Sequence, residues 1–337
     1  MTKSFPLLKL PLIPLEVIIE QLDFIDLVQL SMKSTKFKHI LEVLKLSVRS
    51  LHLYVMKISC MISILRNRNI CYIDAWDSVP KNEITEHVNI QGEPVQIWKD
   101  GTNTLKVKSD LSKLATLEAI TKHVMSISKV AKYSLTYKND VKAEIRSLFI
   151  WQQTTQLDQL KVCVHNGTRV PISPEDLTFI LDGISVECLL LNVSCPGFKY
   201  QRPIRHTKIH IRCSSWIDFE QFSLGPETII ANFYDQKVSN DVLNRLIKDW
   251  KEGKYLKLRE VEFIWYDNDQ RSLAMVREHE ARWPKTILPN RNIEQLKGLS
   301  MNHLIEHQFW RFSVFYRVRL SVEEDFGLNG IHLEDQD

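Results

Sequence analysis

The sequence predicts a mixed α/β fold, α+β overall, in which three short helices precede an irregular series of strands and helices. Apolar residues fall at helical spacing in the first 44 residues, whereas strand-like segments begin 21 to 32 residues apart in the second half. The 337 residues are 44% hydrophobic and 25% charged, as in an ordinary globular chain. A chain of this length corresponds to about two domains.

Charge and cysteine usage narrow the class of protein. Lys and Arg number 44 against 41 Asp and Glu, so the net charge of +3 disfavours a protein whose whole surface follows nucleic acid. The six cysteines form no Cys-x-x-Cys pair, which is typical of reduced thiols in an intracellular protein. Prolines interrupt the apolar amino terminus, and the run over 51–65 is too short to span a membrane. We expect a cytoplasmic and/or nuclear protein with no membrane partner.

The amino-terminal segment reads as three helices. Pro14 suits a first helical turn, and apolar residues then follow at i, i+3, i+4 and i+7, namely Leu15, Ile18, Ile19 and Leu22. Asp23 is a candidate cap for a second helix and Ser34 for a third, which carries Phe37. Three helices in about 35 residues bury too little surface to be stable alone, so we expect this segment to need a partner.

The rest of the chain divides by pattern. Residues 51–110 read as an irregular connecting segment with strand-like pieces, and residues 111–130 read as a helix. Five strand-like segments follow: 161–165, 187–191, 208–212, 229–233 and 261–265. Ser239 caps a helix that ends at Gly253. One strand in every 20 to 30 or so residues is the rhythm of an irregular leucine-rich-repeat-like α/β solenoid.

The amino-terminal pattern resembles the F-box, the motif by which substrate receptors dock onto the adaptor of cullin–RING ubiquitin ligases. The resemblance rests on Phe5-Pro6-Leu7-Leu8-x-Leu10-Pro11, Leu15-Glu16-Val17-Ile18, Leu22, Leu27, Leu30-Ser31 and Phe37-Lys38. In many F-boxes an acidic residue follows the Leu-Pro at once, whereas Leu12-Ile13-Pro14 intervenes here, as in the nematode F-box family. The resemblance implies that the adaptor contacts Leu10, Pro11, Leu15, Ile18, Leu22, Leu27, Leu30 and Phe37.

A second resemblance covers residues 150–270. The stretch Ser239-Asn240-Asp241-Val242-Leu243-Asn244-Arg245-Leu246-Ile247-Lys248-x-Trp250-x-x-Gly253, followed by Leu258-Arg259-x-Val261, is similar to the type 2 F-box-associated domain of the nematode family. With the F-box it implies four parts: F-box helices (1–50), a connecting segment (51–110), a substrate-recognition domain (111–320) and an acidic tail (321–337). The tail has six acids and no Lys or Arg.

Strand alternation predicts which residues face a target. If the apolar residues of the strands point toward covering helices, the residues between them line the open sheet face. That face would carry Lys161, His165, Lys208, His210, Arg212, Asn232, Tyr234 and Tyr266, beside Glu262. A register error of one residue would exchange this set with the core. No acid lies between Glu187 and Asp218, and the basic strip over 199–212 suits acidic or phosphorylated peptides.

These patterns favour a protein that binds proteins over an enzyme. The chain has only ten glycines, and it contains neither a phosphate-binding glycine loop nor Gly-x-Ser-x-Gly. We therefore expect a non-enzymatic substrate-recognition subunit of an SCF-type E3 ubiquitin ligase that binds the adaptor subunit and an unidentified target protein, with no cofactor. One alternative is an interaction scaffold that does not engage a ligase. Another is a nucleic-acid binder using residues 199–212, which the balanced charge disfavours.

Overall fold

The computed structural model describes residues 10–57, 59–78, 85–138, 144–163, 169–234, 239–267, 309–310 and 313–321, and for part of these only the backbone. The chain divides into two compact units, Met1–Phe198 (unit 1) and Lys199–Asp337 (unit 2). Both units combine helices with a sheet, which confirms the mixed α/β prediction. The predicted domain boundaries at residues 50, 110 and 320 stay predictions. Within the described residues, no helix combines the length and apolarity needed to cross a bilayer.

Unit 1 begins with three ten-residue helices, α1 (Leu12–Gln21), α2 (Phe24–Lys33) and α3 (Thr35–Leu44). Helix α1 starts two residues before Pro14, so the proline lies within the first turn, where no backbone N–H is needed. Ser34 caps α3 as predicted, because its side chain accepts a hydrogen bond from the Phe37 N–H at 3.2 Å. Asp23 occupies the N-cap position of α2 but makes no capping hydrogen bond with its side chain.

The strands of unit 1 occupy the region that follows. The segment expected to be irregular is more regular than predicted, since it holds β2 to β7. The strands are β1 (Leu46–Val48), β2 (Ser50–Val55), β3 (Cys60–Arg66), β4 (Asn69–Ala75), β5 (Glu86–Ile90), β6 (Glu93–Lys99), β7 (Thr104–Ser109), β8 (Ser128–Val130), β9 (Tyr133–Tyr137), β10 (Gln156–Val162), β11 (Val170–Pro171), β12 (Ser185–Leu191) and β13 (Val193–Ser194). Helix α4 (Lys113–Ile127) lies where helical spacing predicted it, and α5 (Pro174–Thr178) is short.

The main sheet of unit 1 has the order β12-β10-β9-β2-β3-β4-β7-β6-β5. Strands β12, β10, β9 and β2 run parallel to one another, and so do β4 and β7. The pairs β2–β3, β3–β4, β7–β6 and β6–β5 are antiparallel. Two further parallel pairs, β1–β8 and β11–β13, are formed apart from this sheet. Strand β9 therefore lies between β2 and β10 in the sheet, although β2 and β9 are far apart in the sequence.

One face of this sheet forms the core. A single row of register partners across seven strands has at most 1% exposure: Leu189, Leu160, Leu135, Leu53, Ile62, Ile73 and Leu105. Helix α4 packs on β3, β4, β5 and β7, and its Leu117, Ile120 and Val124 are fully buried. Each such side chain stabilises the fold by about 2 kcal/mol relative to exposure. The opposite face therefore carries the polar residues of the same strands.

Unit 2 contains three parallel strands, β14 (Lys208–Ile211), β15 (Ile230–Tyr234) and β16 (Glu260–Asp267). Strand β18 (Ser313–Ser321) runs antiparallel to β16 and pairs with β17 (Phe309–Trp310). The predicted cap Ser239 precedes α6 (Asn240–Lys251) and accepts a hydrogen bond from Val242 N–H at 3.3 Å. Four phenylalanine rings pack together in the core, with adjacent centroids 5.2 to 5.9 Å apart: Phe219, Phe222, Phe233 and Phe263.

Candidate functional site

Helix α1 carries an apolar surface that the rest of the described structure does not cover. Ile13 is 76% exposed and Val17, one helical turn later, is 57% exposed. On the opposite side, Leu15 and Ile19 are buried at 3% and 1% exposure. Side chains four residues apart lie on the same helix face, so Ile13 and Val17 form one patch. We call this pair the α1 patch; adjacent exposed apolar side chains on one helix face make it a candidate interaction site.

The eight residues expected to bind the adaptor are placed differently from one another. Pro11 and Leu30 are exposed, and Leu10, Ile18 and Leu22 are half-buried. Leu15, Leu27 and Phe37 are buried at 3%, 0% and 3% exposure, where they pack inside unit 1. The sequence alone did not identify the α1 patch, because apolar residues recur at helical spacing on more than one side of α1.

Polar contacts fix helix α2 to the sheet of unit 1. Asp26 pairs with Lys99, and Glu86 pairs with Lys33 and accepts a hydrogen bond from Gln29 at 2.9 Å. The hydrogen bond from Lys33 holds the pKa of Glu86 below its ordinary value. These contacts join helix α2 to the β5–β6 hairpin, so this helix has a defined position within unit 1.

A buried Ser–His pair links α2 to α4. Ser31 Oγ lies 2.8 Å from His123 Nε2, and the two residues are 3% and 2% exposed. The Ser31 hydroxyl donates to the Val28 carbonyl at 2.7 Å, so the imidazole is the donor to Ser31. Burial lowers the pKa of His123 to about 4. A substrate could not reach a pair this buried, so its role is structural.

A cleft lies where the α1–α2 turn meets the β3–β4 turn. Its volume is about 90 Å³, and Arg66 lines it together with Asn69 and Asn103. Arg66 is 8% exposed, donates to the Leu22 carbonyl at 3.3 Å, and has its pKa lowered by burial. Burial also raises the pKa of the neighbouring Cys71 to about 12, which makes its thiol a poor nucleophile. The arrangement suits hydrogen bonding more than catalysis.

The polar face of unit 1 was only partly anticipated. Lys161 is exposed there as predicted, and its register partner is Thr136 on β9. His52 bonds Thr136 Oγ1 at 2.8 Å and stacks on Tyr54, with ring centroids 4.2 Å apart. Burial, and to a smaller extent Lys161, lower the pKa of His52 to about 4. His52 and Tyr54 were missed because they belong to strand β2, which only the tertiary structure brings beside β9.

The polar face of unit 2 is less open than predicted, because Asn232 and Glu262 are buried at 8% and 3% exposure and His210 is half-buried. His210, Asn232 and Glu262 form one row of register partners, and Asn232 Nδ2 lies 3.3 Å from His210 Nδ1. Burial lowers the pKa of His210, although Glu260 and Glu262 oppose the shift. Asn232 is buried at 8% exposure, and its Oδ1 has no partner among the described residues.

The remaining expected target-binding residues have mixed placements. Lys208 and Tyr234 are half-buried and Arg212 is exposed. Tyr266 belongs to β16, where only the backbone is described, and His165 lies outside the described residues. The prediction that these side chains bind a target stays a prediction.

Comparisons with protein-family models, with curated proteins and with solved structures each gave no match to this chain. The resemblances to the F-box and to its associated domain therefore rest on the sequence motifs and stay predictions. The α1 patch and the polar sheet faces are the surfaces from which a function is inferred.

Proposed function

We propose that the chain is a substrate-recognition subunit of an SCF-type cullin–RING E3 ubiquitin ligase. In this proposal α1–α3 are the F-box helices that dock onto the adaptor subunit. The β-rich remainder binds the target protein. The chain itself performs no chemistry: it raises the local concentration of a target lysine near the ligase's transfer centre.

The α1 patch carries this proposal. One side of α1 is packed into unit 1 through Leu15 and Ile19, while Ile13 and Val17 remain exposed on the other. Burying such a pair against a partner stabilises the complex by removing apolar surface from water, which is how amphipathic helices bind grooves. Pro11 before α1 and Leu30 on α2 are further exposed apolar residues that an adaptor could contact.

The strands support the second half of the proposal. Strands β9, β10 and β12 in unit 1, and β14, β15 and β16 in unit 2, are each parallel and separated by connecting segments. We interpret this succession as leucine-rich-repeat-like. On the polar faces of the two sheets, exposed Lys161 in unit 1 and half-buried His210 in unit 2 are accessible to a target protein, whereas Asn232 and Glu262 are buried.

Adaptor binding tests the proposal directly. We expect the full chain to co-precipitate the purified SCF adaptor, and the Ile13→Asp/Val17→Asp double variant to lose about tenfold or more in affinity, since central apolar anchors dominate such interfaces. Both residues are exposed, so the thermal midpoint should change little. Leu256→Asp is the matched control, because Leu256 is 86% exposed in unit 2.

Two results would contradict the proposal. One is wild-type chain that captures no adaptor. The other is a double variant that binds adaptor as well as Leu256→Asp does, which would leave an interaction scaffold without a ligase as the better explanation.

A further inference from the structure

Unit 2 presents a basic loop that precedes strand β14. We call residues 199–207 the arginine loop. It contains Lys199, Arg202 and Arg205 and no acid, and Lys208 follows it at the start of β14. Arg202 and Arg205 are both exposed, and Arg205 has no partner among the described residues. Lys199 donates to the Ser215 carbonyl at 2.7 Å, a contact that leaves its positive charge unneutralised.

The backbone of the arginine loop is held in place. Tyr200 and Ile204 form bridges with Ile217 and Leu224, and the side chains of Tyr200 and Ile204 are 3% and 0% exposed. The Thr228 hydroxyl contacts the Ile204 carbonyl at 3.3 Å and the His206 carbonyl at 3.0 Å. The buried residues therefore anchor the loop from below, while the arginines between them project from its surface.

Gly225 brings a second chain segment directly against this loop. Its N–H donates to the Ile204 carbonyl at 2.7 Å. A Cβ at position 225 would lie 2.8 Å from Arg205 Cα and 3.1 Å from the Ile204 carbonyl oxygen. Only glycine fits this approach without moving the backbone that carries Arg205. The backbone position of Arg205 is thus fixed before any ligand binds, so only its side chain has to be ordered on binding.

The acids on the facing segment leave the loop basic. The Asp218 carboxylate accepts hydrogen bonds from the Glu220 N–H and from the Gln201 side chain, and Glu227 forms an ion pair with Lys257. Glu220 is exposed, and its carbonyl accepts a hydrogen bond from Arg245 of α6. Three acids thus accompany the four bases at 199–208, and one of the acids, Glu227, is paired with a cation outside the loop, Lys257, so the local balance of charge stays positive.

We propose that the arginine loop binds a phosphorylated serine or threonine in a segment of the target protein. A phosphate group carries up to about two negative charges and three acceptor oxygens, which matches two always-charged guanidinium groups better than a single carboxylate does. The site is confined to one loop, and the whole chain is nearly neutral, which favours a compact phosphopeptide over a long nucleic acid. This inference deepens the proposed function and rests on it.

Peptide binding to the full chain tests the inference. The probe is a fluorescent degenerate peptide pool with a fixed central phosphoserine or phosphothreonine, compared with pools carrying Glu or the unmodified residue there. We expect the phosphorylated pool to bind at least about tenfold more tightly than the unmodified pool. Arg205→Glu should abolish this preference, and Gly225→Ala should weaken it with no change in charge. Lys248→Glu, on an exposed position of α6, makes the same charge change and should leave it intact.

The same variants separate this inference from the proposed function. Arg205→Glu should still bind the adaptor, whereas Ile13→Asp/Val17→Asp should still bind phosphopeptide. Equal binding of phosphorylated and unmodified pools would overturn the inference. The inference would also be overturned if Arg205→Glu kept the same preference for the phosphorylated pool as Lys248→Glu. Tighter binding of a single-stranded RNA homopolymer than of phosphopeptide, lost in Arg205→Glu, would instead identify the loop as a nucleic-acid interface.

Discussion

Ser31 and His123 show how a single buried contact makes stability depend on pH. The folded chain holds the pKa of His123 at about 4 because the imidazole is buried. An unfolded chain exposes the same imidazole with an ordinary pKa near ~6.5. Between these two values the unfolded state binds a proton that the folded state does not. The stability that this histidine contributes is therefore fully present at neutral pH and is lost as the pH falls from ~6.5 toward 4.

We expect the loss from this residue to be measurable by denaturant unfolding at pH 7 and pH 4.5. For one histidine with this shift, the free energy of unfolding should fall by about 2 kcal/mol between the two pH values. His123→Gln can keep a hydrogen bond to Ser31 but cannot titrate, so its pH-dependent loss should be smaller by that amount. His39→Gln is the control, since His39 is exposed on α3. Parallel pH curves for wild type and His123→Gln would contradict the expectation.

Helix α2 contains both buried residues that stabilise the fold and exposed residues that are available for binding. Leu27 is fully buried and Leu30 is 39% exposed, although the sequence predicts both as adaptor contacts. Leu27→Ala should lower the free energy of unfolding by about 2 to 5 kcal/mol, because it leaves a cavity. Leu30→Ala should change it by less than about 0.5 kcal/mol. Urea unfolding of both variants checks this, and equal losses would show that the core of α2 is not where the structure places it.

The sequence predicts which segments form helices, but not which face of each helix is buried. Spacing located α4 and α6, and Ser34 and Ser239 act as the predicted caps, because these signals are local. In α1, however, apolar residues occur on both sides, so periodicity alone could not tell the packed pair Leu15 and Ile19 from the exposed pair Ile13 and Val17. That choice is made by the elements against which α1 packs.

At the scale of the whole molecule, strand positions were predictable and strand neighbours were not. Alternation correctly placed Ile209, Ile211, Phe233 and Phe263 in the core of unit 2. The polar pair His52 and Tyr54 could not be assigned to the same surface as Lys161, because β9 lies between β2 and β10. Such non-local pairing leaves no mark on sequence spacing, so a site built from distant strands is visible only in the structure.

If the chain bridges adaptor and target, we expect its two binding surfaces to act independently. The α1 patch consists of unit 1 side chains, whereas the arginine loop consists of unit 2 side chains, and they share no residue. Substitutions at sites without shared partners usually have additive free energies. We therefore expect Ile13→Asp/Val17→Asp to change the phosphopeptide dissociation constant by less than about twofold, and Arg205→Glu to change adaptor affinity equally little.

Joint capture measures the bridge itself. Beads carrying the phosphorylated peptide pool should retain labelled adaptor only when the full chain is added and both surfaces are intact. Either variant alone should abolish retention, while Leu256→Asp and Lys248→Glu should preserve it. Two results would show that the surfaces are coupled. One is weaker peptide binding when adaptor is added. The other is an affinity loss in the combined variant that differs from the sum of the separate losses by more than about 0.5 kcal/mol. In that case the chain would act as a switch between its partners and not as a passive link.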